Sequence, residues 1–264
     1  MQENQVLYQK LIRQLASVSA DVELHIFDTV TSTNDLLREA AEQGAPAFTV
    51  FAAQQQTAGK GRQGRQFFSP PQTGLYLSML FRPQSTPAQA LALTPMAAAA
   101  AADAIEQAAG ENVQIKWVND LLLHGKKICG ILAESKYSAN HTLDYVIVGI
   151  GINLLPPPDG FPPELQNIAG AVFPESADAD AAFVQTAAAL IAALIREYQL
   201  LPEKHYLNGY RQRLCVLNRP ITVCENGQER DATAVAVDDD LRLLVRYANG
   251  EEQWRSTGEI RIRL

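Results

Sequence analysis

The sequence predicts an α+β protein with a small β-barrel at its C-terminal end. Up to about residue 215, strand-like runs alternate with long helical patterns such as "AAFVQTAAALIAALIREYQLL". Beyond about residue 216, short strands are separated by the turn signals "ENG", "DDD" and "ANG". The 264 residues, 47% hydrophobic and 19% charged, suffice for a sizeable core of ordinary globular composition.

These patterns divide the chain into an N-terminal helical extension (1–24), a main domain (25–215) and the C-terminal barrel (216–264). The extension, "MQENQVLYQKLIRQL", predicts an amphipathic helix. Five aliphatic residues share one side of this helix: Val6, Leu7, Leu11, Ile12 and Leu15.

The main domain opens with the helix "STNDLLREAAEQG", which has capping residues at its start and Gly44 at its end. The strand "FTVFAAQQQ" then leads into a basic loop, and the alternating strand "GLYLSMLFRP" stops at Pro83. We expect the next helix to begin with Thr94 as N-cap and Pro95 in the first turn, and to end at Gly110.

The second half of the main domain begins with the strand "VQIKWVND". The segment "LLLHGKKICGILAE" predicts a hairpin that turns near Gly125, and "YVIVGIGINLL" predicts a strand buried on both faces. Residues 155–180 predict a loop, and a long helix follows that ends before Pro202.

The composition argues against several classes of function. A net charge of −7 and a pI near 5.2 argue against general nucleic-acid binding. No apolar run reaches the roughly 18 residues of a membrane span, and the start lacks the layout of a secretory signal. The three widely spaced cysteines suggest neither a disulfide framework nor a zinc site. We therefore expect a cytoplasmic protein that binds no membrane and holds no metal of its own.

The loop "GKGRQGR" concentrates three cations and three glycines in residues 59–65, and no acidic residue occurs between Glu42 and Asp103. Glycines allow the backbone to approach a ligand, and arginine can bind phosphate through two hydrogen bonds. The alternative is a solvated surface turn. The loop is not a Walker motif, because Gly61 rather than Ser or Thr follows Lys60. The acid-free surroundings favour a phosphate-holding flap.

A second group of polar residues lies in "KWVNDLLLHGKKICGIL", residues 116–132. Lys116 occurs in an apolar strand, where a cation is costly unless it meets an anion. Asn119 and Asp120 follow at the strand end, a frequent place for ligands. A lysine that reaches solvent, followed by a simple Asn-Asp turn, explains the same residues equally well.

Taken in order, the motifs resemble the biotin–protein ligases, also called holocarboxylase synthetases. The resemblance runs over residues 25–264, through "STND", "QQQTAGKGRQGRQFFSP", "GLYLSMLF", "KWVNDLLLHGKKICGILAE", "VIVGIGINL" and the terminal "GEIRIRL". It implies a mixed, largely antiparallel central sheet with flanking helices, related to class II synthetases, and an SH3-like C-terminal barrel. It also implies formation of biotinyl-5′-AMP from biotin and ATP with Mg²⁺, then transfer of biotin to a carrier lysine.

The resemblance implies a role for each matching residue. Lys116 and Arg62 would be the catalytic cations, placed near the reacting carboxylate and phosphate. The biotin contacts would be Ser32, Thr33, Asn34, Gln56, Lys60, Gly61, Arg62, Lys127 and Gly130. The ATP and adenylate contacts would be Arg62, Arg65, Phe67, Lys116, Asn119, Asp120, Asn153 and Arg263.

Three positions depart from the family pattern. Lys60 stands where arginine is usual, Val118 replaces a proline, and Phe67 replaces a tryptophan near the adenine. The implied partner is the biotin carboxyl carrier protein of acetyl-CoA carboxylase or a similar carboxylase. Only about 24 residues precede the family's catalytic start, so we expect no DNA-binding repressor function. The family's catalytic domains can pair through sheet edges, which leaves a homodimer open.

Two alternatives remain. A lipoate–protein ligase or octanoyltransferase would share the general fold, and the transferase would need a nucleophilic cysteine. Cys129 lies inside a predicted strand and is better explained as a small buried hydrophobe. A non-catalytic module that binds nucleotide or RNA is the other alternative, which the acidic composition disfavours.

Overall fold

A computed structural model describes residues 3–18, 20–83, 87–138, 142–225, 228–256 and 258–262. These residues form a seven-stranded mixed sheet with helices and a five-stranded antiparallel sheet, so the α+β prediction is confirmed. The helices are α1 (Gln5–Gln14), α2 (Thr33–Glu42), α3 (Pro87–Ala109), α4 (Ala179–Gln199) and α5 (Tyr206–Arg213). The strands are β1 (Glu23–Val30), β2 (Thr49–Gln56), β3 (Gly74–Phe81), β4 (Gln114–Lys116), β5 (Asp120–Leu123), β6 (Lys126–Tyr137), β7 (Leu143–Asn153), β8 (Pro220–Glu225), β9 (Gln228–Val237), β10 (Leu243–Tyr247), β11 (Glu252–Arg255) and β12 (Glu259–Ile262).

The large sheet has the strand order β1-β2-β3-β7-β6-β5-β4. Only β1 and β2 run parallel, and the other neighbours pair antiparallel. The predicted hairpin forms between β5 and β6, where His124 and Gly125 both have positive φ, as a tight two-residue turn requires.

The central strands bury both faces. On β7, one set of alternating residues packs in the main core beneath α3 and α4: Val146, Val148, Ile150 and Ile152. Ile147 points to the opposite face, where it packs with Leu37 of α2. Gly149 and Gly151 share that opposite face by the two-residue period of a strand. The sheet therefore has a helix-covered core face and a second face that α2 covers only in part.

The helix α3 begins earlier than the sequence predicts. The dipeptide Thr-Pro occurs at 86–87 and again at 94–95, and the helix starts at Pro87 and continues through Pro95. The assignment of Thr94 as N-cap was therefore wrong. Both Thr-Pro pairs carry the same local start signal, and the turns that precede Pro95 bury Ala90 and Leu93 in the main core.

The helix α4 is long and apolar enough to cross a membrane by length and composition, although Gln185 and Thr186 interrupt its apolar run. In the protein, 61% of its apolar window is buried, against α3, α1 and β3. The N-terminal helix α1 completes this layer by burying Leu7 and Leu11, and Leu15 is buried just after its end, while Val6 stays 63% exposed.

The C-terminal sheet has the order β11-β10-β9-β8-β12 and its own hydrophobic core. Two main-domain side chains, Trp117 and Leu122, pack within this second core. At the end of the main domain, the Cys215 N–H donates to the Ile115 carbonyl at 3.0 Å, which places the start of the C-terminal domain beside β4.

Candidate active site

Three glycines form the floor of a pocket on the partly covered face of the large sheet. Gly130 on β6 lies directly opposite Gly151 on β7, and Gly149 lies two residues away on the same strand. A Cβ atom on Gly151 would fall within 2.7 Å of the Phe67 ring, and one on Gly149 would collide with Asn34. The floor thus lacks side chains because other groups lie directly on the backbone there.

The N-terminus of α2 supplies the polar wall of this pocket. The Thr33 N–H donates to Gln56 Oε1 at 2.9 Å, which satisfies a helix donor that has no partner within the helix. Ser78 Oγ on β3 lies 2.7 Å from Thr33 Oγ1 and 2.6 Å from Asn34 Oδ1. Because Ser32, Thr33, Asn34 and Ser78 are all buried, these bonds fix an array of donors and acceptors away from water.

This array continues to the protein surface. Asn34 Nδ2 donates to Glu134 Oε2 at 2.7 Å, and Glu134 forms an ion pair with Arg38 at 3.6 Å. Arg38 also contacts Asp35, one turn earlier on α2. A continuous polar chain therefore connects the pocket to the exposed side of α2.

The basic loop folds over the pocket as a tight hairpin. Lys60 pairs with Gln66 across the loop, the Gly61 N–H donates to the Arg65 carbonyl at 2.7 Å, and the Phe67 N–H donates to Gly59 at 3.0 Å. Gln63 adopts positive φ at the tip. These bonds stabilise a closed arrangement over the glycine floor.

The sequence suggested that the cations of this loop lack acidic partners, but the structure shows one for Lys60. Lys60 Nζ forms an ion pair with Asp35 Oδ1 at 2.5 Å, and this acid lies 25 residues earlier on α2. Arg62 instead donates to neutral oxygens, Asn119 Oδ1 at 2.8 Å and the Gly258 carbonyl at 3.4 Å. Within the described part of the chain, no carboxylate forms an ion pair with Arg62, so its charge is available to an anionic ligand.

The pocket is small in this arrangement, with a volume of about 50 Å³. Cavities for drug-sized ligands are commonly about 300–1,000 Å³. The Phe67 ring lies against Gly130 and Gly151 and takes up part of the space. A ligand larger than a few atoms must therefore displace Phe67 or the loop.

The structure gathers most of the predicted residues around this pocket. All residues predicted to contact biotin line it: Ser32, Thr33, Asn34, Gln56, Lys60, Gly61, Arg62, Lys127 and Gly130. Of the residues predicted for the nucleotide, Arg62, Phe67 and Asn119 line it as well. Arg65, Lys116, Asp120 and Asn153 lie outside its lining, and Arg263 lies outside the described residues. Their roles stay predictions.

The residues outside the lining still have defined positions. Lys116 is half-buried at the end of β4, opposite Asp120 of β5 in the strand register. Asp120 forms an ion pair with Lys127 at 2.6 Å, and Asn153 Nδ2 donates to the Gly170 carbonyl at 2.9 Å. The acid at the strand end thus holds a lysine of the pocket wall.

Sequence reasoning missed several lining residues, namely Tyr76, Ile131, Leu132, Gly149, Ile150 and Gly151. A signal for two of them was present, since "GIGIN" places glycines two apart in an otherwise apolar strand. Tyr76 carried no such signal. Its ring meets Phe67 edge-on at 6.3 Å between centroids, and burial raises the pKa of its hydroxyl.

Cys129 is fully buried, and burial raises the pKa of its thiol well above the ordinary range. A thiol held neutral is a poor nucleophile. This supports its interpretation as a core residue. Among the residues that the structure describes, no group of three or more His, Cys, Asp or Glu side chains is placed to hold a metal ion.

Comparison with known proteins identifies the family. A biotin–[acetyl-CoA-carboxylase] ligase from Paracoccus denitrificans is 33% identical over 215 residues, which cover 76% of this chain and 85% of that protein. The chain belongs to the biotin–protein ligase family. Residues 26–153 match the biotin/lipoate A/B protein ligase family model, and residues 216–263 match the model of the biotin protein ligase C-terminal domain.

Other biotin–protein ligase relatives are longer. The bifunctional ligase/repressor BirA of Bacillus subtilis is 41% identical over 142 residues, and the match covers 54% of this chain but 43% of BirA. The chain thus spans less than half of that relative.

Solved biotin–protein ligase structures share the fold. The ligase from Aquifex aeolicus in complex with biotin and ATP superposes with a TM-score of 0.70 at 22% identity, over 91% of this chain and 98% of that one. The Leishmania major ligase in complex with biotinyl-5-AMP gives 0.58 at 23% identity, over 90% and 100%.

Proposed function

We propose that this protein is an ATP-dependent biotin–protein ligase. It joins biotin to ATP, giving biotinyl-5′-AMP and pyrophosphate, and then passes biotin to a carrier lysine. The observation that carries the proposal is the glycine-floored pocket, in which a buried polar wall on α2 faces the cationic loop around Arg62.

The pocket chemistry suits biotin. A cyclic urea presents one carbonyl acceptor and two N–H donors, and Ser32, Thr33, Asn34 and Gln56 offer both kinds of partner in fixed positions. The side-chain-free floor at Gly149 and Gly151 gives room for a flat bicyclic ring. Ile131 and Leu132 supply apolar wall for the aliphatic chain.

In the first step, the biotin carboxylate oxygen bonds to the α-phosphorus of ATP while the bond to pyrophosphate breaks. Two anions must approach each other, and cations lower that repulsion. Arg62, which makes no carboxylate ion pair in the described chain, is placed for this role, and we assign Lys116 the same task from its motif. Magnesium enters as part of the MgATP substrate.

In the second step, a lysine amine of the carrier attacks the acyl carbonyl and AMP leaves. We propose a biotin carboxyl carrier protein as partner, in keeping with the acetyl-CoA-carboxylase ligase name of the Paracoccus relative. A groove of about 710 Å³ adjoins the pocket and shares Arg62, Ile131 and Leu132 with it. We propose that the carrier lysine reaches the adenylate through this groove. Until then, the closed loop shields the reactive anhydride from water.

The alternative candidate is a lipoate–protein ligase, because the family model that matches residues 26–153 covers both activities. The match of residues 216–263 to the biotin-ligase C-terminal domain favours biotin.

The deciding experiment incubates the purified protein with MgATP, a biotin carrier domain and either biotin, lipoate or octanoate. We expect biotin-dependent exchange of pyrophosphate into ATP and a mass increase on one carrier lysine. A carrier with that lysine changed to arginine is the matched control. Labelling with lipoate but not biotin would overturn the proposal.

We also propose that the chain does not bind operator DNA, given its net charge of −7. The test is a gel shift with biotin and ATP present. Specific binding that persists as salt is raised would contradict it.

A further inference from the structure

Trp117 belongs to the main domain, but its side chain packs inside the C-terminal domain. Its side chain is 3% exposed and packs in the core of the five-stranded sheet, with Val216, Ile221 and Val245 in the same cluster. The indole Nε1–H donates to the Leu241 carbonyl at 2.9 Å. A buried indole donor with a single backbone acceptor defines both the depth and the rotation of the ring.

The acceptor is held in place by a built turn between β9 and β10. Asp238 accepts hydrogen bonds from the Asp240 and Arg242 N–H groups at 3.0 and 2.9 Å, and Leu241 adopts a positive φ. Ion pairs fasten this turn to the main domain: Lys204 to Asp240 at 2.9 Å and Arg211 to Asp239 at 2.6 Å. The Leu241 carbonyl is therefore fixed relative to both domains.

The residues on either side of Trp117 belong to the proposed adenylation machinery. Lys116 precedes it, and Asn119, the acceptor for Arg62, follows two residues later. Asn119 exchanges hydrogen bonds with Ile131, its Nδ2 and its carbonyl each lying 3.0 Å from the Ile131 partner atom. The intervening Val118 carbonyl accepts from Tyr210 at 3.2 Å. The backbone from 116 to 119 is thus a short segment whose central side chain is anchored in another domain.

We propose that Trp117 is a positioning residue through which the C-terminal domain sets the placement of Lys116 and Asn119, and through Asn119 that of Arg62. The proposal rests on the adenylation function proposed above. Trp117 does not line the pocket, and the polar wall proposed to hold the biotin ring is built on α2, β2 and β3. We therefore expect the larger effect on the chemical step and only a small one, through Arg62, on biotin binding. Displacements of about 1 Å in such groups can cost about a hundredfold in rate.

The test compares Trp117→Phe with Trp254→Phe. Phenylalanine keeps most of the packing and removes the hydrogen bond, and Trp254, 44% exposed on β11, is the other tryptophan of the chain. We expect Trp117→Phe to slow single-turnover formation of biotinyl-AMP by roughly tenfold to a hundredfold. Its biotin dissociation constant, measured without ATP, should stay within about threefold of wild type. Trp254→Phe should change neither quantity.

A second variant, Asp238→Ala, disrupts the turn and keeps the indole. It should show the same split between rate and biotin affinity, so it decides the question if Trp117→Phe does not fold. In the Trp254→Phe background, Trp117 is the single tryptophan, and Asp238→Ala should make its fluorescence more accessible to acrylamide.

The outcomes separate two failures. A wild-type protein that forms no adenylate refutes the proposed function and this inference with it. An active wild type, with Trp117→Phe or Asp238→Ala as fast as Trp254→Phe, refutes the inference alone. Parallel losses of rate, biotin affinity and melting temperature would reduce Trp117 to a structural residue.

Discussion

Replacing Gly149 with alanine places a methyl group against the buried polar wall. The new Cβ would lie 2.8 Å from Asn34 Cγ and closer still to Oδ1. Asn34 is 4% exposed and holds hydrogen bonds to Ser78 and Glu134, so it cannot move without breaking them. Relieving the steric conflict therefore breaks hydrogen bonds of Asn34 as well as disturbing the packing.

The magnitude follows from these contacts. Overpacking costs about 1–3 kcal/mol, and each lost hydrogen bond about 1 kcal/mol. Since displacing Asn34 relieves part of the clash while breaking its bonds, we expect a net loss of roughly 2–4 kcal/mol. For a chain of this size, that lowers the melting temperature by roughly 5–15 °C. Biotin affinity should fall as well, because Asn34 lines the pocket.

The assay is thermal melting and biotin titration of Gly149→Ala, with Gly151→Ala as the matched control. At Gly151 the obstacle is the Phe67 ring, which lies on the loop and can turn away, so the control should melt close to wild type. The double variant Gly149→Ala with Asn34→Ala should lose less stability than the sum of the single variants. A Gly149→Ala protein that melts with wild type, or additive losses in the cycle, would refute the steric reasoning.

Three further predictions concern charges. Arg62→Gly should release biotinyl-AMP roughly tenfold to a hundredfold more readily, because a charge-assisted contact contributes about 1.5–3 kcal/mol. The measurement is filter binding, and retention at the wild-type level would exclude a contact between Arg62 and the adenylate. Lys116→Ala should cut single-turnover adenylation severely with little change in melting, and Lys116→Arg should rescue poorly; a wild-type rate in the alanine variant would exclude the lysine. Burial tends to raise the pKa of the Glu106 carboxyl, but hydrogen bonds from Arg213 and the Val113 N–H outweigh burial and lower it below 4.5. This stabilisation is complete above the unfolded pKa and is lost as pH falls through the folded one. Glu106→Gln should therefore melt lower than wild type at pH 7, and the difference should shrink as the pH falls below 4.5. A pH-independent difference would contradict this reasoning.

The sequence located the basic loop and the polar helix start because their chemistry is local. Glycines and cations within seven residues, or Ser-Thr-Asn ahead of a helix, carry their meaning without the rest of the chain. The pairing of Lys60 with Asp35 was out of reach, because it depends on how the loop folds back onto α2. An acid-free stretch of sequence is not an acid-free region of space.

The glycine floor could likewise be predicted only in part from the sequence. Gly149 and Gly151 are visible in the sequence, but Gly130 becomes part of the same surface only through the antiparallel register of β6 and β7. The prediction of the start of α3 was wrong for a different reason. The sequence carries two identical Thr-Pro signals, and it does not show that the turns before Pro95 bury Ala90 and Leu93 in the core. The sequence does not indicate the proposed role of Trp117, because its hydrogen-bond partner Leu241 lies 124 residues further along the chain.

The small volume of the closed pocket affects the rates at which ligands bind and dissociate. If ligands enter and leave only when the loop around Arg62 opens, the residence time of the intermediate is set by the frequency of that opening. Association would then level off with rising biotin concentration, at the opening rate. Under the proposed function, the time for which the protein retains biotinyl-AMP between encounters with a carrier depends on the stability of one short hairpin, residues 59–67.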